Sequence, residues 1–376
     1  MTAEASTVGA TAQTDEAPFE DVRRIAVLRG GGIGDLVAAL PALEALRAAY
    51  RDAEIVLLTT PKLAPVLEGR PTPADRIVRV PFFPDAPDAQ GRTWRDDPAT
   101  QEVVAGLRSE GVGLAVQLHG GGANSNPFVA ALGAPHTVGC ATREALRLER
   151  DMPHVYYQRE VSRWLEVASL AGAPAVVTDP RLAVIPADGA AAAEWLRPGP
   201  GLVVVHPGAT DPRRRWPADR FAAVAAELAA DGWQVLVVGD DGERGLADGI
   251  AHDAAGLAPS AAGRIASAAG RTSLQGLLGL LATARLVVAN DSGPRHLAQA
   301  LGTPTASVYW GPNLINAGPT GRRHHRVQVS WRQLCPVCGA DGTDPFLQPC
   351  EHEVPWVDGV ATERVLADAR DLLAGR

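Results

Sequence analysis

The chain has 376 residues, with 35 Lys and Arg against 43 Asp and Glu, and a formal net charge of -8 at pH 7. That length accommodates two domains with substantial cores. The acidic balance speaks against non-specific nucleic-acid binding, so an anionic ligand has to be met by local cations such as the runs at Arg213–Arg215 and Arg322–Arg326. Four cysteines do not make a secreted disulfide scaffold at this size.

Residues 1–20 are expected to be a disordered tail, because Met1–Ala17 is polar, acidic and rich in Thr and Ala, without a signal-peptide pattern. No apolar run reaches membrane-spanning length, since even Leu274–Ala289 contains Gln275, Thr283 and Arg285. The expected location is the cytoplasm, a reading compatible with peripheral attachment to the inner face of a membrane.

Two α/β series follow, each opening on an apolar strand that runs into a glycine-containing loop. In the first, residues 21–180, the pattern predicts a strand at Arg24–Arg29, a helix from about Leu36 to Tyr50, and strands at Glu54–Thr59, near Ile77–Val80 and at Leu114–Leu118. The proline-rich stretch Pro81–Pro98 reads as a surface loop, and residues 181–200 read as a linker. In the second series, residues 201–355, the predicted order is strand Leu202–His206, helix Ala218–Ala230, strand Gln234–Val238 and helix Glu243–His252. A helix capped by Thr272 or Ser273 comes next, then a strand at Leu286–Ala289, a helix at Pro294–Leu301 and a strand at Thr305–Tyr309. Val360, Val365, Ala369 and Leu372 suggest a terminal amphipathic helix within 356–376. The fold class is therefore α/β, two Rossmann-like parallel-sheet domains facing a cleft.

Several loops carry candidate chemistry. Residues 28–35, LRGGGIGD, join a strand to a helix; Gly32 and Gly34 permit close backbone approach, and Asp35 offers a carboxylate at the sheet edge as a general base or a helix-start acid. A dinucleotide fingerprint is not met, because Asp35 stands where its last glycine is required. Residues 206–217, HPGATDPRRRWP, bring Arg213, Arg214 and Arg215 to a strand end, where arginine forks suit diphosphate oxygens; three adjacent arginines cannot all point inward, and each reads alternatively as solvated surface charge, while Trp216 reads as packing. Glu243 begins a helix and suits a ribose hydroxyl or its own helix terminus.

Residues 287–312, VVANDSGPRHLAQALGTPTASVYWGP, place a helix start between two strands that reads either as an anion-binding device or as an ordinary capped helix. Asp291 or Ser292 can cap it, Pro294 fits its first turn, Gly293 leaves amides open and His296 adds a donor. His119 and Asn124 lie at an N-domain strand end, where they line an acceptor or form a structural turn. Cys335, Cys338, Cys350 and His352 contain the ligand types of a structural zinc site, with free or redox-active loop thiols as the alternative. His324 and His325 read as solvated charge in a basic loop.

Three blocks taken together, residues 28–59, 206–243 and 290–312, resemble the ADP-heptose:lipopolysaccharide heptosyltransferase family, glycosyltransferase family nine, in order and spacing. The resemblance covers about residues 23–375. It implies the GT-B architecture, with acceptor bound by the N-terminal domain and donor mainly by the C-terminal one. It implies an inverting, metal-independent transfer of a sugar from a nucleotide-diphosphate donor, ADP-heptose in the best-known members, to a hydroxyl of a glycan, glycolipid or secondary metabolite. By the same resemblance Asp35 is the base, Arg214, Arg215, Ser292, Gly293, Pro294 and His296 hold the diphosphate, and Glu243 meets the nucleoside. This chain departs from the family in its triple glycine, in Arg214 where lysine is usual, and in Arg295 where an apolar residue is common. A sugar-nucleotide epimerase and a non-catalytic nucleotide-sugar-binding regulator are the rival readings.

Overall fold

The computed structural model describes residues 16–375 except 200, 346, 348 and 349. The first half runs β1 (Arg24–Leu28), α1 (Ile33–Ala49), β2 (Glu54–Thr59), β3 (Arg76–Arg79), α2 (Pro98–Ser109), β4 (Leu114–Gln117), α3 (Ser125–Ala131), β5 (His136–Ala141), β6 (Arg150–Pro153) and α4 (Glu160–Leu170). A connecting helix, α5 (Pro186–Ala192), leads into β7 (Leu202–His206), α6 (Ala218–Ala230), β8 (Gln234–Val237), α7 (Arg244–Leu257), β9 (Ile265–Ser267), α8 (Leu274–Thr283) and β10 (Leu286–Asn290). The chain continues through α9 (Gly293–Ala300), β11 (Thr305–Trp310), α10 (Gly311–Ala317), β12 (His325–Ser330) and α11 (Thr362–Leu373).

Each half forms a six-stranded parallel sheet, in the orders β3-β2-β1-β4-β5-β6 and β12-β11-β10-β7-β8-β9. Counted from the first strand of each half, both read 3-2-1-4-5-6, the doubly wound order with its switch point between the first and fourth strands. Helices cover both faces, so the central strands are apolar throughout: Ile25–Leu28 and Leu202–Val205 are buried at every position. The strands the sequence pattern did not predict, β5, β6, β9 and β12, are short or polar; β6, β9 and β12 lie at or beside sheet edges, where the apolar signal is weakest.

Helix α1 is buried along most of its length and lies between its own sheet and the second half. One continuous apolar cluster runs from Ile25, Leu36 and Leu43 through Trp164 to Val204, Leu278 and Leu297. The expected tail over residues 1–20 ends early: residues 1–15 lie outside the described part, but Phe19 is buried, stacks on His136 with 4.1 Å between centroids, and donates its amide to the Tyr50 hydroxyl at 3.0 Å. Within the connecting stretch, α5 is folded onto the first half. Asp188 of α5 makes a two-point ion pair with Arg70 (2.8 and 3.0 Å), both side chains buried, which ties α5 to the first half.

Two local expectations are corrected. His325 is not solvated loop charge but a half-buried residue of β12, with Nδ1 3.0 Å from Thr305 Oγ1. At α8 it is Ser273 that caps, accepting from the Gly276 amide at 3.1 Å, whereas the hydroxyl of Thr272 makes no such bond.

Candidate active site

The loops after β1, β7 and β10 open onto one cleft of about 670 Å³ between the two sheets. In each sheet these strands border the switch point, where divergent loops leave a crevice beyond the carboxyl ends of the strands. Asp35, Gly32 and Gly34 line it from the first half; Arg214, Glu243, Ser292, Gly293, Pro294 and His296 line it from the second.

Asp35 occupies the third position of α1. One carboxylate oxygen accepts from the Gly32 amide at 2.7 Å, and the other lies 3.2 Å from the Arg29 guanidinium. The helix-start and cleft-facing readings therefore coincide, since each oxygen keeps a further lone pair and the side chain is 46% exposed. Arg29 is held rigidly: it donates to the carbonyls of Asp35 (2.8 Å) and Leu118 (2.6 Å), meets Glu160 at 3.3 Å and lies over the Trp164 ring. The glycine this arrangement demands is Gly31, with φ +84 and a hypothetical Cβ only 2.5 Å from the Asp35 carboxylate.

Facing it, the helix start at α9 uses its polar residues differently from ordinary caps. Ser292 occupies the N-cap position without a side-chain capping bond; its hydroxyl lies 3.0 Å from His206 Nδ1. Asp291 is buried and binds His296 Nε2 (3.1 Å) and Arg214 (3.1 Å). Burial pushes the Asp291 carboxyl up, but the His296 bond and the charges of Arg214 and Arg295 outweigh it and hold the group below the usual range. His296 accepts at Nδ1 from the Arg295 guanidinium (2.8 Å), so its proton resides on Nε2 and goes to Asp291. Burial, then the Arg295 charge, depress the imidazole, which keeps it neutral.

Arg295, an apolar position in the family resemblance, is fully buried: it bonds Gln299 (2.8 Å) and the Ala317 carbonyl (3.0 Å) and lies over Tyr309. It therefore supports His296 from behind.

The two helix starts touch across the cleft. A Cβ added to Gly34 would lie 2.7 Å from His296 Cδ2, and one added to Gly293 would lie 3.2 Å from Ile33 Cβ. Close approach of α1 and α9 thus requires glycine on both sides, most strictly at Gly34.

Glu243 is linked to the same constellation by His206, whose Nε2 is 3.3 Å from its carboxylate; the Asp240 amide adds a 3.1 Å bond. The His206 bond, working against burial, holds the Glu243 carboxyl below its usual range. Gly208 makes room for this carboxylate, since a Cβ there would lie 1.7 Å from Oε1.

Some expected site residues stand apart. His119, 2.5 Å from Asp85, and the exposed Asn124 do not line the cleft; Arg215 lies at its margin, its Nε donating to the carbonyl of the cleft-lining Ala209 (2.8 Å) and its charge helping to lower the Glu243 carboxyl. Trp216 is buried packing, as read from sequence. Sequence reasoning missed His206, Arg29, Lys62 and Arg159, the last two being further cations that line the cleft. His206 had a signal, as a lone imidazole at the carboxyl end of a buried strand; Lys62 and Arg159 had none, because the fold alone brings them here. The ligand atoms of Cys335, Cys338, Cys350 and His352 lie together within 4.8 Å, away from the cleft.

Comparison with known proteins agrees with the two-sheet architecture. The family model described as glycosyltransferase family 9 (heptosyltransferase) matches residues 107–336. Lipopolysaccharide heptosyltransferase 2 of Salmonella typhimurium is 33% identical over 127 residues, 34% of this chain and 35% of that protein, so the chain aligns with about a third of the relative's length. A glycosyl transferase family 9 structure from Veillonella parvula superposes with TM-score 0.73 at 20% identity, covering 94% of this chain and 98% of that one. The E. coli ADP-heptose lps heptosyltransferase II gives TM-score 0.70 at 20% identity, with 93% and 98% covered. At such identity these structures establish the fold, GT-B.

Proposed function

Because the chain belongs to glycosyltransferase family 9 (heptosyltransferase), we propose that it is an inverting glycosyltransferase taking a sugar from a nucleotide-diphosphate donor to an acceptor hydroxyl. The observation that carries this reading is the meeting of Asp35 on α1 with the Asp291–His296 loop on α9 in one cleft. ADP-heptose is the proposed donor, since it is the sugar nucleotide named for a structure of the same fold. The acceptor is a hydroxyl of a glycan, glycolipid or secondary metabolite. Val155 and the cleft-lining Tyr156, both about half exposed, suit one with an apolar portion. A glycolipid acceptor would bring the enzyme to the cytoplasmic face of a membrane, and among the described residues no helix is long and apolar enough to cross one.

In the proposed reaction Asp35 accepts the acceptor's hydroxyl proton as that oxygen bonds to the anomeric carbon from the face opposite the diphosphate. The bond from the anomeric carbon to the diphosphate oxygen breaks, the nucleoside diphosphate leaves, and the sugar passes through an oxocarbenium-like state with inversion. Negative charge grows on the diphosphate, where the amide of Gly293, the α9 dipole and the Arg214 guanidinium offer preorganised stabilisation. Pro294 has no N–H to contribute but fixes the first turn. His296 acts by holding Asp291, and so Arg214, in place. Glu243 is assigned to the donor's ribose hydroxyls. Arg215, His119 and Asn124 are left out of the proposed site, and none of these steps calls for a metal.

The test is incubation of purified protein with ADP- and other nucleotide-diphosphate sugars, with and without candidate acceptor glycans, following nucleotide release. Acceptor-dependent release with a new glycosidic linkage is expected. Release without acceptor would favour epimerase or hydrolase chemistry, and binding without release a regulator; either would overturn the reading.

A further inference from the structure

Between β12 and α11 lie some thirty residues, and the described ones among them carry little regular structure, an unusual length for a loop inside a compact domain. Cys335 and Cys338 sit on one tight turn, closed by bonds from the Gly339 amide to the Cys335 carbonyl (2.9 Å) and from the Cys335 amide to the Ala340 carbonyl (2.8 Å). Gly339 takes φ +72, which a side chain would resist. Cys350 and His352 come back to this turn from the far end of the loop, and one ligand atom from each of the four residues lies within 4.8 Å of the others. All three thiols are free. His352 Nδ1 is shielded from solvent without a hydrogen-bond partner, a costly state for a polar atom of a residue in this cluster.

We propose that Cys335, Cys338, Cys350 and His352 bind one structural zinc ion. Three thiolates and an imidazole form a closed tetrahedral set, whereas a catalytic zinc keeps a position open. Zinc–sulfur bonds of about 2.3 Å give tetrahedral edges of about 3.8 Å, so side-chain adjustments on the order of 1 Å complete the site. None of the four residues lines the cleft, which separates this ion from the transfer chemistry.

The ion would act as a clip across the loop, replacing closure that secondary structure does not supply. What the clip holds is informative. Gly342 packs against Trp356 so closely that a Cβ would lie 2.2 Å from the indole. Trp356 meets Trp310 edge-on and donates its amide to the Arg213 carbonyl at 2.8 Å, directly beside Arg214. From the first half, the Tyr157 hydroxyl donates to the Thr343 carbonyl. The zinc loop therefore buttresses the arginine loop and touches the opposite domain.

The full chain, purified without chelators and without an affinity tag that binds metal, is analysed for metal by mass spectrometry. About one zinc per chain is expected. Cobalt exchanged into the site should give the intense absorption of a tetrahedral thiolate complex, and Cys335→Ser and Cys350→Ser should each abolish both signals. Cys140→Ala, in the core of the first half, should retain them. Zinc removal should lower the melting temperature, which readdition restores. Metal content of the unaltered protein is decisive even where a variant fails to fold. Freely titratable thiols with no bound metal, or a Cys335–Cys338 disulfide in protein isolated under reducing conditions, would overturn the site; stoichiometric iron would overturn the assignment to zinc.

Discussion

His206 at the end of β7 holds Ser292 at the start of α9, with Nδ1 3.0 Å from Oγ, while the other ring nitrogen reaches Glu243. A carboxylate only accepts, so in the neutral ring Nε2–H goes to Glu243 and Nδ1 accepts the Ser292 proton. The hydroxyl of Ser292 is thereby committed to the protein. Ser292→Ala should cost about one ordinary hydrogen bond, roughly 0.5–1.5 kcal/mol, and raise the donor KM less than about tenfold. His206→Ala removes both bonds and should raise it further. A fall in kcat of about 10²–10³ in Ser292→Ala, the loss expected for a donor acting in the transition state, would show instead that the hydroxyl stabilises the leaving diphosphate.

Gly34 and His296 set the spacing of the two domains at the cleft. The His296 ring is fixed by Arg295 and Asp291, so it cannot swing away from a methyl group placed 2.7 Å from it. Gly34→Ala should displace α1 from α9 and misplace Asp35 relative to the donor. Displacements near 1 Å cost on the order of 10²-fold in rate. The expected result is a kcat reduced by about that factor with far-ultraviolet circular dichroism unchanged; wild-type turnover would mean that the domains do not approach this closely during catalysis.

The doubly wound pattern was legible because the central strands are continuous apolar runs, and Leu202–His206 and Leu286–Ala289 could be read directly. Asp35, Arg214 and the Asp291–His296 loop were legible as residues that follow such strands. Their partners were not. Asp291 looks like a cap but binds Arg214 and His296, and Arg295 looks misplaced until its buried bonds to His296 and Ala317 are seen. Periodicity reports which face of an element is apolar; it carries no information on which polar groups meet across two domains. Arg29 illustrates the limit, since it follows a buried strand and finds Glu160 far along the chain.

His325 makes stability depend on pH. Burial, followed by the charges of Arg295 and His324, pushes its imidazole down to about 4. Between that value and the unfolded value of about 6.5 the unfolded chain binds more protons than the folded one. Its contribution to stability is therefore complete above about pH 6.5 and is lost as the pH falls toward 4. His325→Gln, which keeps a polar group near Thr305 but cannot protonate, should lose less melting temperature than the parent between about pH 7.5 and 5. Equal losses in parent and variant would mean that the acid sensitivity lies elsewhere, in groups such as His154 and His296, which burial also depresses.

Asp35→Asn separates binding from transfer. Arg29 retains its bonds to the carbonyls of residue 35 and Leu118 and its contact with Glu160, so the loop should keep its shape when the charge is removed. The groups assigned to the donor, Arg214, Glu243 and the α9 helix start, belong to the other half of the molecule. Donor affinity measured by calorimetry should stay within a few-fold of the parent. Transfer should fall by about 10²–10⁴, the usual contribution of a positioned general base. Because an amide is nearly isosteric with the carboxylate and can still accept from the Gly32 amide, such a loss would reflect proton transfer rather than distortion. Normal turnover by the purified variant would remove Asp35 from the role of base, and a parallel loss of donor binding would mark its charge as part of the donor site.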